Sequence, residues 1–243
     1  STLENVGEGI SHIKFSHENQ YMATLNKQGI ANIWDFQGRK IVEIEIPEKN
    51  TKIEDLIFSK DDQSLLMVGD KGTVYALNID DNLLKVWDQL SSHADEDFYY
   101  INLSLEGDKI AIASNDGNVY ILNWQGVVEQ ILAGHSDDGV IDVVFSEDGE
   151  TINTLDTLYG GYAKVWSTSG NQIAEFMDVA SLSQDGKQIA TSIDGTVHIK
   201  AMKNLRELLD QGCNALEDFF IRNPEKKNDL EICLSKTEVK QSI

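Results

Sequence analysis

Apolar and polar positions alternate in short runs over the first two hundred residues, and turn-forming clusters end each run. Phe15, Phe58, Leu103, Phe145 and Leu182 end the first run of five successive units, at spacings of 43, 45, 42 and 37 residues. A serine follows each (Ser16, Ser59, Ser104, Ser146, Ser183), then a polar turn: HENQ, KDDQ, LEGD, EDGE, QDGK. A second apolar run comes next, seen in Met22 to Leu25, Leu65 to Val68, Ile110 to Ala113, Thr151-Ile152 and Ile189 to Thr191. A glycine then stands five residues before a closing position: Gly29 and Trp34, Gly72 and Leu77, Gly117 and Leu122, Gly161 and Trp166, Gly195 and Lys200. In four units a further run follows, at Ile41 to Ile46, Leu83 to Trp87, Val127 to Leu132 and Gln172 to Phe176. Period-2 runs of this length separated by turn residues predict short antiparallel strands, four to a unit. Such a unit cannot bury its apolar face alone, so the expected fold is all-β, with the units stacked on one another.

Units are expected at about 7–46, 51–88, 96–132, 138–176 and 177–202. The period changes beyond residue 202. Leu205, Leu208, Leu209, Leu216, Phe219 and Phe220 recur at helical spacing, Asn204 and Glu207 form a capping-box start, and Asn223-Pro224 is a stop. A second short helix is expected from Asn228, so 203–243 reads as a helical tail that packs on the last unit, which has three strands where the others have four.

Residues 1–202 carry 13 Lys and Arg against 33 Asp and Glu, while 203–243 carry 7 against 8. A repeat region this acidic argues against nucleic acid and anionic membranes as partners and suits a basic protein or peptide. No apolar run reaches the 18 residues of a membrane span, and the N-terminus lacks a secretory pattern, which predicts a cytoplasmic protein. Cys213 and Cys233 are expected to be buried free thiols. The chain starts at Ser1 without Met, which suggests processing or excision from a longer polypeptide.

The stretch Gly134 to Trp166 carries the repeat's features most fully: Gly134-His135, Phe145-Ser146-Glu147-Asp148-Gly149 and the closing Trp166. With Trp34-Asp35 of the first unit, it makes the chain resemble the WD40-repeat β-propeller family over roughly residues 1–200. That resemblance implies four-stranded blades, each holding a His, a Ser or Thr, an Asp and a Trp in one buried hydrogen-bonded set. By register His93, Ser114 and Asp116 would serve the third blade, where Leu122 replaces the Trp. His135 and Trp166 would serve the fourth, where Gly160 stands at the Asp position; Asp194 belongs to the turn of the fifth. Trp87-Asp88 spells the family's dipeptide, but it falls ten residues past Leu77 and belongs to an outer strand. Five units are visible where such rings usually close with seven, so upstream blades are expected. The tail, LRELLDQGCNALEDFFIRNP, is similar to the ending of large cyanobacterial-type multidomain WD-repeat proteins, with Ala215 where such tails usually have Trp. By that resemblance the chain is the C-terminal part of a signalling protein whose N-terminal effector is an NTPase, a caspase-like or a TIR-like module.

The sequence has no P-loop, GxSxG, HExxH, Rossmann or EF-hand pattern, and no enzyme activity, metal or cofactor is expected. The resemblance implies one rim made of the loops before the first strands and the Asp-Gly turns. That rim would gather Glu54, Asp95, Glu96, Asp97, Phe98, Tyr99, Asp137, Asp138 and Tyr159, an acidic surface with aromatic anchors for a basic peptide, Tyr99 and Tyr159 foremost. The expected function is a non-catalytic protein-interaction scaffold or sensor. Two alternatives are a propeller hydrolase or lyase using carboxylates or Ca²⁺ at the central channel, and a purely structural array.

Overall fold

A computed structural model describes residues 9–44, 46, 51–70, 72–87, 90, 97–135, 139–156, 161–183, 185–193, 195–201 and 222. The chain divides into two compact units, Ser1–Lys200 and Ala201–Ile243. The second is described only at Ala201 and at Arg222, which is helical and exposed. The expected helical tail and both cysteines therefore lie outside the described residues.

The first unit is all-β. Among the described residues, 19 strands make five antiparallel sheets in chain order. The first sheet holds β1 (Ile10–Phe15), β2 (Tyr21–Asn26), β3 (Ala31–Asp35) and β4 (Lys40–Ile44). The second holds β5 (Ile53–Phe58), β6 (Ser64–Gly69), β7 (Val74–Asn78) and β8 (Leu83–Trp87). The third holds β9 (Phe98–Leu103), β10 (Ile110–Ser114), β11 (Asn118–Leu122) and β12 (Val128–Ala133). The fourth holds β13 (Val140–Phe145), β14 (Thr151–Asp156), β15 (Ala163–Ser167) and β16 (Gln172–Phe176). The fifth has three strands among the described residues, β17 (Val179–Leu182), β18 (Gln188–Ile193) and β19 (Thr196–Ala201). Trp87 ends a fourth strand, as its register predicts.

The sheets pack face to face in sequence order. Ala23, Leu25, Ala31 and Ile33 of the first meet Leu56, Phe58, Met67 and Tyr75 of the second. Leu66, Val68 and Val74 meet Phe98, Ile101, Ile110 and Tyr120 of the third, and Ala111, Val119 and Ile121 meet Val143, Phe145 and Trp166 of the fourth. Among the described residues, the substantial contacts run from sheet to sheet along the chain, and no comparable contact joins the fifth sheet to the first.

The serine after each first strand has a specific task. Its hydroxyl accepts the backbone N–H five residues on, at 2.8–3.0 Å from Tyr21, Ser64, Lys109, Thr151 and Gln188, which closes the turn. The hydroxyl proton then goes to a turn carboxylate: Asp61, Asp108, Asp148 and Asp185 serve the second to fifth serines. The first turn, HENQ, has no Asp. Ser16 donates instead to Asp62 of the neighbouring sheet at 2.6 Å, and Asp62 also accepts the N–H of His17 (2.7 Å) and of Glu18 (2.9 Å). The Asp61-Asp62 pair thus divides its labour, one carboxylate closing its own turn and the other clasping the sheet before it.

At the opposite end, the first four sheets share one irregularity. Each first strand carries an extra residue four positions before its last, at Ser11, Glu54, Tyr99 and Ile141, where the register to the second strand slips. A bulge of this kind re-aims side chains at the end of a strand.

Candidate functional site

The fourth sheet contains the buried polar set its sequence suggests, with a different carboxylate. The Trp166 indole N–H donates to the Thr154 hydroxyl at 2.8 Å, and that hydroxyl in turn bonds His135 Nε2. His135 Nδ1 lies 3.1 Å from Asp156 Oδ2, and Asp156 Oδ1 accepts the Tyr162 N–H at 2.7 Å. The partner set expected to be broken at Gly160 is therefore completed by Asp156, four residues earlier. Burial holds the His135 imidazole below its ordinary pKa, against the opposing pull of the Asp156 hydrogen bond and charge. The neutral ring that results donates from Nδ1 to Asp156 and accepts at Nε2 from Thr154. The register missed this because Thr154 and Trp166 are 12 residues apart, whereas the corresponding bond in the first sheet, Trp34 Nε1–H to Thr24 Oγ1 at 2.9 Å, spans 10. The longer spacing accounts for two of the four residues; the other two arise because Asp156 ends its strand, whereas Asp116, on which the count was set, sits in the turn.

The other named sheet residues do local work. Asp35 accepts the backbone N–H groups of Gln37 and Arg39 at 2.9 and 2.8 Å, and pairs with the Arg39 guanidinium. Asp116 takes the Asn118 backbone and amide donors and the Tyr120 hydroxyl, while Ser114 is fully buried beside it. His93 and Asp194 lie outside the described residues, as do Asp95, Glu96, Asp137, Asp138 and Tyr159.

Of the expected rim, Glu54, Asp97, Phe98 and Tyr99 are described. Phe98 is fully buried and packs against Tyr120 at 5.9 Å between ring centroids, so it belongs to the core and not to the rim. Its neighbour Tyr99, the bulged residue, is 39% exposed. Tyr99, Asp97 and Glu54 share one locality: the hydroxyl's pKa is raised by burial and then by the charges of Asp97 and Glu54. Lys52 ion-pairs with Glu54 at 2.7 Å.

One residue deeper, the bulges deliver a second row that the sequence reading did not single out. Asp55, Tyr100 and Asp142 stand three residues before Phe58, Leu103 and Phe145, in the same register on adjacent first strands. Asp55 is 1% exposed; its Oδ2 accepts the Ile101 N–H at 3.3 Å and its Oδ1 lies 3.2 Å from Lys14 Nζ. Asp55 Oδ1 makes this contact as an ion pair without an aligned hydrogen bond, and Asp142 Oδ1 is buried without a hydrogen-bond partner among the described residues. Lys14 Nζ also lies 5.3 Å from the centre of the Tyr100 ring. Desolvation pushes Asp142 up to about 6, with the Asp55 charge adding to it and Val143 N–H and Lys14 opposing it. Tyr100 is pushed up to about 12 by burial, then by Asp142 and Asp55. Two carboxylates and one ammonium leave this strip short of positive charge. The signal in the sequence was a polar residue at one register position of three apolar strands.

Beside this row, between the fourth and fifth sheets, a cavity of about 320 Å³ is lined by Ile141, Asp156, Asp178, Val179 and Ser192. Among the described residues no group of three or more His, Cys, Asp or Glu is placed to hold a metal ion, and no helix is long and apolar enough to cross a membrane.

The chain is thus a repeat protein of stacked antiparallel sheets, with acidic and tyrosine side chains gathered at the bulged ends of the first strands. Its sequence matches no protein-family model and no curated protein.

Proposed function

We propose that the chain is a non-catalytic, WD40-type propeller segment of a larger signalling protein, and that its bulged rim receives a basic peptide or protein surface. The observation that carries this reading is the double row: Glu54, Asp97 and Tyr99 outermost, with Asp55, Tyr100 and Asp142 next along the same strands. A Lys or Arg from a partner would supply the positive charge that Lys14 alone does not, and Tyr99 offers a rigid aromatic face beside it. The repeated four-stranded sheets, the Trp34–Thr24 bond and the His135–Thr154–Asp156–Trp166 set support the family reading.

Fluorescence anisotropy with a labelled Lys/Arg-rich peptide, and an acidic peptide of equal length as control, tests the proposal. Saturable binding of the basic peptide alone is expected, weakening with salt as exposed charges are screened. Replacing Tyr99 and Asp97 together with Ala is expected to lower affinity at least about tenfold, the scale of an interface anchor. Equal binding of parent and double variant removes the rim as the site.

A further inference from the structure

The row behind the rim holds two carboxylates and one ammonium, and the two carboxylates are not served alike. Asp55 on β5 is buried, with Lys14 Nζ 3.2 Å from its Oδ1 and the Ile101 N–H on its Oδ2. Asp142 on β13 has the Val143 N–H, while its Oδ1 is buried and has no hydrogen-bond partner. The strands packed most closely against β13, namely β9, β10, β11 and β14, contain no Lys, Arg or His. β10 carries no titratable group at all; Asp156 on β14 is engaged by His135 and the Tyr162 N–H, and the Tyr120 hydroxyl on β11 donates to Asp116. On β9, Tyr99 lies in the field of Asp97 and Glu54, whereas Tyr100 lies in the field of Asp142 and Asp55, with Lys14 Nζ 5.3 Å from its ring centre.

Rim and row are joined residue to residue, since Glu54 precedes Asp55 and Tyr99 precedes Tyr100. A charge captured at the rim therefore acts on the row across a poorly solvated strip, where screening is weak. An ionised Asp142 needs a positive neighbour beyond Lys14, which Asp55 already holds. Two agents can meet that need: a proton, which neutralises the carboxylate, or a cation brought by a ligand. Building on the rim as a basic-peptide site, we propose that these two compete: a Lys or Arg side chain captured at the Glu54–Tyr99 rim drives a proton from Asp142 into solvent, and a proton on Asp142 weakens capture. The linkage is reciprocal, as any coupling between two binding events must be. Burial pushes Asp142 up to about 6, so the exchange falls between neutral and mildly acidic pH. Above that range the row of Asp55, Asp142 and Lys14 carries a net negative charge and holds a cation more tightly; below it the row is neutral and capture weakens.

Fluorescence anisotropy of the full chain with a rhodamine-labelled Lys/Arg-rich peptide, capped at both ends and free of histidine and carboxylates, tests this from pH 5 to pH 8 at constant ionic strength. Affinity is expected to rise about fivefold over that range, the scale of one partly screened charge. Asp142→Asn should bind at pH 8 as the parent does at pH 5 and show no rise. Circular dichroism like the parent's establishes that the variant folds; Asp142→Ser replaces it if it does not. Titration calorimetry of the parent at pH 6, in two buffers of different ionisation enthalpy, should record release of a fraction of a proton per peptide bound, and the variant should release none. A parent whose affinity is flat from pH 5 to pH 8 while the peptide still binds overturns the exchange and leaves the rim's function standing; a peptide that binds at neither pH overturns both. A rise that persists in Asp142→Asn also overturns the exchange and moves the proton to another group, such as the exposed His12 at the same register position on β1.

Discussion

Replacing Asp142 with Asn should stabilise the protein at neutral pH and leave it unchanged in acid. Asp142 sits where burial disfavours its charge, Asp55 repels it and Lys14 is already paired to Asp55. Its pKa of about 6 in the folded chain lies above the ordinary carboxylate value of 3.8. The folded state holds the proton longer than the unfolded state, so this group's stabilisation is complete below about pH 4 and is lost as pH rises through about 6. A shift of about 2 units corresponds to about 3 kcal/mol. Asp142 is partly open to water, so screening reduces this to about 1–2 kcal/mol. Asn keeps an acceptor for the Val143 N–H and removes the charge. Urea unfolding of parent and Asp142→Asn at pH 4 and pH 8 should then differ by about 1–2 kcal/mol at pH 8, in favour of the variant, and by almost nothing at pH 4. In thermal melts that gain is about 2–8 °C for a domain of this size. A variant less stable than the parent at pH 8, or a parent whose stability does not fall between pH 4 and pH 7, would refute the argument that this strip is poorly solvated and short of positive charge.

Other outcomes follow from the same geometry. Thr154→Val keeps the shape and removes the hydroxyl that links Trp166 to His135, leaving two buried groups without partners; a loss of about 2–4 kcal/mol is expected in urea unfolding. Because burial holds His135 neutral, its contribution is present above about pH 6.5 and fades as pH falls below it, which urea unfolding of the parent at pH 5 and pH 7 should show. Asp62→Ala removes three hydrogen bonds between the first and second sheets and should cost about 2–4 kcal/mol, while Asp108→Ala, whose carboxylate serves the Ser104 turn in its own sheet, should cost under about 1 kcal/mol; chemical unfolding of both variants compares them. Gly126→Ala would place a Cβ 2.7 Å from the Trp87 ring at a φ of +75°, so a fall in melting temperature is expected together with a change in tryptophan fluorescence, since Trp87 packs edge-on against Trp124.

Sheet composition was legible in the sequence because its signals are local: alternation within each run, a serine and a polar turn after the first, a glycine before the third. The same register placed Trp87 on an outer strand in spite of its dipeptide. What escaped were features that depend on how units meet. The Asp156 partner of His135 was hidden by a loop two residues longer than its counterpart and by its place at the end of a strand, two positions before the turn where the count from Asp116 looks. Phe98 looked like part of an acidic, aromatic loop in DEDFYY, yet the bulge at Tyr99 turns Phe98 into the core and leaves Tyr99 outside. Asp55 and Asp142 stood in plain view at one register position, but their pairing is a property of neighbouring strands and not of either segment. Asp62 acts across a sheet boundary, which no single repeat can reveal.

The bulge has one more consequence. Because it inserts a single residue, two successive side chains leave the strand for different surroundings: Glu54 and Asp55, Tyr99 and Tyr100, Ile141 and Asp142, Ser11 and His12. In the second, third and fourth sheets each pair works as a two-letter cassette, whose first letter meets the outside and whose second meets the adjoining strands, whereas His12 of the first sheet is exposed like Ser11. A change in the first letter can alter what the molecule recognises without disturbing how its sheets are stacked, and a change in the second can retune the interior field under an unchanged exterior. Three such cassettes side by side allow recognition to diverge while the scaffold stays fixed, and they mark where a new specificity could be written into this chain.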